Sequence, residues 1–246
     1  MSLLSVRNVH LRFGGITALE DVSFDVEEGT TAGLIGPNGA GKTTIFNVIT
    51  RLYRLDEGDV LVDGSSLLRT PPSRVIRHGV ARTFQNVELF PTMTVLENVL
   101  VGAHTDSRFE RERSARRRAT EALELIGIDE LASRPAAGLP FGTLKRIELA
   151  RALVSKPRLL LLDEPAGGLN HREVEELAVL LGRLRDQLKM TVLLVEHHMG
   201  LVMKISDHVH VLNFGRMIAN GPPQEIQRNP EVIEAYLGGE LDESAA

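Results

Sequence analysis

Residues 36–44 read Gly36-Pro37-Asn38-Gly39-Ala40-Gly41-Lys42-Thr43-Thr44. They stand between a short apolar run, Thr30 to Ile35, and a segment in which Ile45, Phe46, Val48, Ile49 and Leu52 fall at helical spacing. A strand therefore feeds a helix through a glycine-rich turn. Glycines let successive backbone N–H groups curl round phosphate oxygens, and a helix starting near Gly41 points its positive end at them. The stretch fits the P-loop pattern in spelling and in context. It assigns Gly36, Asn38, Gly39, Ala40, Gly41, Lys42, Thr43 and Thr44 to a nucleoside triphosphate, with Lys42 on the β- and γ-phosphates and the Thr43 hydroxyl on Mg²⁺. The pattern alone does not choose between ATP and GTP, or between motor, switch and kinase.

Two further strands deliver polar groups. Leu159-Leu160-Leu161-Leu162 is a run buried on both faces, and Asp163-Glu164-Pro165 follows at its carboxyl end, where α/β sheets place ligands. Asp163 suits the Mg²⁺ shell, and Glu164 suits polarising a water for in-line attack on the γ-phosphate. Thr191 to Val195 repeats the arrangement and ends in Glu196-His197-His198. An imidazole at His197 can donate to the γ-phosphate and orient the attacking water.

Outward from these stretches, Val6 to Phe13 alternates roughly, Val22 to Val26 alternates cleanly, and Val60 to Val62 runs into the turn pair Asp63-Gly64. The middle of the chain changes character. Thr94 and Glu97 form a capping box ahead of Val95, Leu96, Val99 and Leu100, and Thr120 to Ile126 is helical up to Gly127. From about Asn86 to Ser155 the pattern is mostly helix. Alternation then returns: strand 159–162, a helix from His171 to Leu188 capped by Asn170 with Glu173 at the third position, strand 191–195, a helix, and strand 209–213. The expected architecture is α/β: a parallel sheet with helices on its faces, a β-rich N-terminal part and a helical insert.

Composition narrows the function classes. The 246 residues carry 28 Lys and Arg against 33 Asp and Glu, a net charge of −5, which argues against a surface that holds nucleic acid by neutralising phosphates. There is no cysteine, hence no disulfide, thiolate nucleophile or cysteine-based metal site. The apolar runs are of strand length, far below the ~20 residues a membrane helix needs. The first ten residues lack the apolar centre of a secretory signal, so a cytoplasmic location is expected. Arg108, Arg111, Arg113, Arg116, Arg117 and Arg118, with Glu110 and Glu112 among them, read as a solvated helical face, the alternative being contact with anionic lipid head groups.

The order of these motifs resembles the ATP-binding subunit of ABC transporters over the whole chain. That resemblance implies a single ABC ATPase domain over 1–246, with a RecA-like core and β subdomain at 1–85 and 156–246 and a helical subdomain at 86–155. It implies that Phe13, in Arg12-Phe13-Gly14-Gly15, stacks on adenine, and that Gln85, in Thr83-Phe84-Gln85-Asn86, contacts Mg²⁺ and the attacking water. It places Gly142, in Leu139-Pro140-Phe141-Gly142-Thr143, in the signature loop that completes a partner's ATP site. Ala166-Gly167-Gly168-Leu169-Asn170 then crosses the dimer interface, and His197 is the switch histidine.

Within that family the chain is most similar to the ATPase subunit of branched-chain amino acid importers. Phe13-Gly14-Gly15-Ile16-Thr17-Ala18-Leu19, Gly167-Gly168-Leu169-Asn170 and the tail Asn229 to Gly238 carry that likeness, leaving 240–246 as an expected frayed end. The implied activity is hydrolysis of ATP with Mg²⁺. The implied partners are a second, non-identical ATPase subunit, transmembrane permease subunits, and indirectly a solute-binding protein, with the chain peripheral on the inner face of the cell membrane. Val87, Leu89 and Phe90 beside Gln85 are the expected permease contacts. Alternatives are the ATPase of a lipid-linked substrate exporter and a soluble ABC ATPase outside transport. The signature departs from the family pattern, because Pro140 offers neither a hydroxyl nor an N–H. Thr143 replaces a glutamine, and His198 stands where an aspartate is usual.

Overall fold

The computed structural model describes residues 1–103 and 112–243. The N-terminal strands β1 (Ser2–Phe13) and β2 (Ile16–Glu27) form an antiparallel hairpin, and β4 (Glu57–Val62) pairs with β1 on its other side. The rough alternation in β1 has a physical cause: Asn8 lies at φ 44°, the register slips between Val6 and Val9, and the buried set runs Leu4, Val6, Val9, Leu11. This is a bulge, and its extra residue shifts the inward face by one. Beyond β4, Asp63 and Gly64 turn at φ 51° and 71° into the two-residue strand β5 (Ser65–Ser66).

The second sheet has the order β10-β9-β3-β8-β7-β6. Its parallel members are β3 (Thr31–Ile35), β6 (Val80–Arg82), β7 (Leu159–Asp163), β8 (Thr191–Val195) and β9 (His208–Asn213), and β10 (Arg216–Gly221) is an antiparallel edge. The four consecutive leucines of β7 divide by alternation. Leu160 and Leu162 join Ile35, Val192, Leu194, Val209 and Val211 on one face, while Leu159 and Leu161 join Leu34, Leu193, Val195 and Leu212 on the other. The first face packs on the helices α2 (Val95–Ala103), α3 (Glu112–Ile126), α4 (Phe141–Leu153) and α5 (His171–Leu188), and the second on α1 (Lys42–Ile49) and the antiparallel sheet.

The helix ends follow the expected chemistry. Thr94 and Glu97 exchange backbone and side-chain bonds at the start of α2, and Asn170 and Glu173 do the same for α5. Gly127 closes α3 at φ 74°. After α6 (Met199–Ile205), β9 and β10, the chain ends in the one-turn helix α7 (Pro223–Ile226) and in α8 (Pro230–Glu243). The frayed end expected from 240 is therefore helical through Glu243, and 244–246 lie outside the described residues. So do Arg108, Glu110 and Arg111 of the arginine-rich stretch; Arg117 pairs with Glu121 one turn on. Among the described residues no helix is long and apolar enough to cross a membrane.

In the register of the sheet, Leu34 and Asp163 both lie opposite Val195. The loops after β3, β7 and β8 therefore open side by side at the carboxyl edge of three adjacent strands, where a ligand site is expected.

Candidate active site

The loop after β3 is fixed by backbone geometry. Gly36 sits at φ 150°, and a Cβ there would lie 2.1 Å from the carbonyl oxygen of Leu212 in β9. No other residue fits. The Lys42 ammonium is almost wholly buried at the mouth of the loop, where Nζ donates to the carbonyls of Gly36 at 2.7 Å and Pro37 at 2.8 Å. Burial holds its pKa below the usual lysine range, and the charges of Glu164 and Asp163 oppose that shift.

A cleft of about 410 Å³ runs along the loop. Of the residues expected from sequence, Asn38, Gly39, Ala40, Gly41, Lys42, Thr43, Thr44, Glu164 and His197 line it, and Ile16 and Phe214 flank it. Glu164 lies in the left-handed region at φ 48°, a conformation that costs a non-glycine residue about 1–3 kcal/mol and that gathers at functional sites. Its carboxylate joins the other two expected catalytic groups: His197 Nε2 donates to Oε1 at 2.7 Å, and Gln85 Nε2 donates to Oε2 at 2.6 Å. Three residues from three loops thus form one hydrogen-bonded chain at the edge of the cleft.

Asp163 lies behind them, buried, with Oδ2 accepting from Arg82 NH2 at 2.6 Å. Among the described residues no hydrogen bond reaches Oδ1. The groups expected to hold a cation, the Thr43 hydroxyl, the Asp163 carboxylate and the Gln85 amide oxygen, are all hard oxygen donors, which suits Mg²⁺.

The segment carrying Gln85 is bound to the helical insert. Lys145 Nζ donates to the carbonyl of Gln85 at 2.8 Å, Glu148 accepts from the N–H of Phe84 at 3.2 Å, and Arg151 donates to the carbonyl of Glu88. Burial pushes the Glu148 carboxyl up, against the pull of that N–H and of the Lys145 and Arg151 charges. Val87 and Leu89 are half-buried here, and Phe90 is exposed.

Phe13 is 46% exposed and packs edge-on against Tyr53, with ring centroids 5.1 Å apart, outside the lining of the cleft. Gly142 is also elsewhere, in the first turn of α4, where a Cβ would meet Glu173 Oε1 at 2.8 Å. Pro140 precedes that helix and caps nothing with its side chain. The neighbouring Phe141 has a visible consequence, since its ring covers Gly168 so closely that a Cβ there would lie 2.7 Å away. His198 also acquires a role: it is the N-cap of α6, and Nδ1 accepts from the N–H of Leu201, the bond an aspartate would make. Nothing in the structure explains Thr143.

Two functional candidates escaped the sequence. Glu196 is buried, and its carboxylate accepts from the N–H groups of Ala166, His197 and His198 at 2.6–2.9 Å, so it fixes the loop after β7 to the loop that carries His197. The signal was a lone acid directly after the apolar run Val192 to Val195. Arg82 closes a three-residue strand, too short to show a period.

Residues 19–167 match the ABC transporter family. The chain belongs to that family. Residues 216–242 of this ABC cassette also match a family described as branched-chain amino acid ATP-binding cassette transporter. The cassette is 44% identical to the high-affinity branched-chain amino acid transport ATP-binding protein BraF of Pseudomonas aeruginosa, over 96% of this chain and 98% of that one. Among solved structures it is similar to the ADP conformation of an ATP-binding cassette of an ABC transporter, with a TM-score of 0.88 and 31% identity over 97% and 99% of the two chains. A dimeric structure of a post-hydrolysis state of an ATP-binding cassette, bound to ADP and Pi, matches with a TM-score of 0.79 and 26% identity over 89% of this chain and 98% of that one.

Proposed function

We propose that this cassette hydrolyses MgATP on the cytoplasmic side of an importer for branched-chain amino acids. The observation that carries the hydrolytic reading is the bonding of Glu164 to both His197 and Gln85 at the edge of the P-loop cleft. The match of residues 216–242 supports the substrate class.

The loop amides and Lys42 bind the triphosphate, and Phe13 stacks on the adenine. Thr43, Asp163 and Gln85 would hold Mg²⁺, which would supply positive charge to offset that of the triphosphate. Glu164 accepts a proton from water as the new O–P bond forms and the β–γ bridging P–O bond breaks, releasing ADP and phosphate. His197 turns Nε2–H from Glu164 toward the γ-phosphate and orients the water. Gly142 and its helix end lie outside the lining of the cleft of their own chain, and complete the site of a second cassette, here a non-identical one. Helices of the insert, 86–155, pass the change to permease subunits through Val87, Leu89 and Phe90 beside Gln85, and the permease in turn meets a solute-binding protein.

Recovery of the native complex from membranes, with mass spectrometry of its subunits, tests this assignment. Co-purification of two permease subunits, a second cassette and a solute-binding protein that takes up leucine, isoleucine or valine supports it. A complex without a permease, or one whose binding protein rejects those amino acids, overturns the substrate class.

A further inference from the structure

Arg82 and Asp163 form the one ion pair among the described residues in which both side chains are nearly sealed from solvent, 6% and 4% exposed. Three elements hold the guanidinium. NH1 donates to Asn47 Oδ1 at 2.7 Å and to Thr50 Oγ1 at 3.3 Å beside α1, and NH2 donates to Asp163 Oδ2 at the end of β7. The cation also lies over the rings of Phe46 in α1 and of Phe84, next to Gln85, at 5.3 and 5.1 Å from their centroids. Its Nε is buried without a partner. A buried ion pair with an unsatisfied donor is a poor device for stability, because desolvating two charges offsets most of their attraction. Its position suggests another use: α1 carries Lys42 and Thr43, β7 delivers Asp163 and Glu164, and the Phe84 segment carries Gln85.

We propose that Arg82 is the positioning residue of the metal–nucleotide site: it clamps one oxygen of Asp163, turns the other toward the cation, and locks the P-loop helix, Asp163 and the Gln85 segment into one unit. The proposal rests on the MgATP reading above. Only an arginine does this, since a planar fork can bond Asn47 and Asp163 at once while its faces meet two rings, whereas a lysine ammonium at the same place is a single point charge. Removing such an outer partner of a metal ligand typically lowers metal affinity ten- to a hundredfold. ATP binding without metal depends on the loop amides and Lys42, which Arg82 does not touch.

The test compares the full-length wild-type chain with Arg82→Lys, Arg82→Met and Asn47→Ala. ATP affinity is measured by calorimetry in EDTA and across a Mg²⁺ titration, with melting temperatures alongside. In EDTA every variant binds ATP within about twofold of wild type, while half-saturating Mg²⁺ rises about tenfold or more in Arg82→Lys and Arg82→Met and about threefold in Asn47→Ala. Arg82→Lys keeps the buried charge, so it carries the test if Arg82→Met does not fold. A lowered melting temperature with a wild-type Mg²⁺ curve marks a structural role and overturns the proposal alone. Wild-type protein that binds no ATP overturns the nucleotide reading, and this proposal with it.

Discussion

Replacing Pro140 by serine separates stability from catalysis. Pro140 stands before α4 at φ −56° and ψ 148°, angles a serine adopts without strain, and no side-chain cap is present. The N–H of Thr143, the third residue of the helix, already donates to the Pro140 carbonyl at 2.9 Å, so a serine Oγ sharing that donor adds at most about 1 kcal/mol. Losing proline's restriction of the unfolded chain costs about 0.4–1 kcal/mol in the other direction. The net change is small, and for a chain of this size the melting temperature should move by no more than about 2 °C. The effect on turnover is of another order. The hydroxyl would donate to the γ-phosphate held by a second cassette, and a hydrogen bond to a charged group contributes about 1.5–3 kcal/mol, roughly tenfold to a hundredfold in rate if it forms only in the transition state. Phosphate release at saturating MgATP, from the lone chain and from the assembled complex, is the assay. The lone wild-type chain should be slow, and Pro140→Ser should raise its turnover about tenfold or more with a nearly unchanged melting curve. A lone wild-type chain as fast as the complex, with no gain from Pro140→Ser, refutes the reasoning.

Other perturbations test separate parts of the molecule. Lys42→Ala removes the buried ammonium of the loop, and calorimetry should detect no ATP binding. Gly168→Ala must place a Cβ at φ 78° and 2.7 Å from the Phe141 ring. Chemical denaturation should show a loss of about 2 kcal/mol, falling to about 1 kcal/mol in a Phe141→Ala background, where only the left-handed backbone cost persists. His210 is a buried residue of β9, Nε2–H donating to the carbonyl of Asp25 in β2, and burial with His208 alongside pushes its pKa down to about 4. Because the unfolded imidazole takes up its proton first, near pH 6.5, stability is complete above that pH and falls as pH drops toward 4, by an amount on the order of 3 kcal/mol. His210→Gln should flatten that part of a pH–stability profile measured by urea denaturation.

Where a stretch has one possible reading, the sequence and the fold agree closely. The phosphate loop fixes a strand before it and a helix after it, Asn170 with Glu173 marks the start of α5 at His171, and Leu159 to Leu162 can only be a strand covered on both faces. What was illegible depends on partners distant in the chain. Strand β6 is three residues long and exists because β7 pairs with it. Arg82 gains its role from Asn47 and Asp163, 35 and 81 residues away. His198 looked like a departure because its capping bond depends on where α6 begins, and the clash that requires glycine at 168 depends on a ring from α4. Glu164, His197 and Gln85 could each be named from sequence. That one carboxylate holds both of the others is a property of the sheet order alone, which sets the ends of β7 and β8 side by side.

In the proposed mechanism Glu164 activates water for the ATP hydrolysis that drives amino acid import. The most direct measurement is leucine uptake, with phosphate release, by the purified complex in proteoliposomes given MgATP on the cassette side. Wild type should accumulate leucine only with ATP, while Glu164→Gln should bind ATP normally, hydrolyse it slower by roughly two orders of magnitude or more, and accumulate almost none. Undiminished hydrolysis by Glu164→Gln, or uptake that proceeds without ATP, would contradict the account.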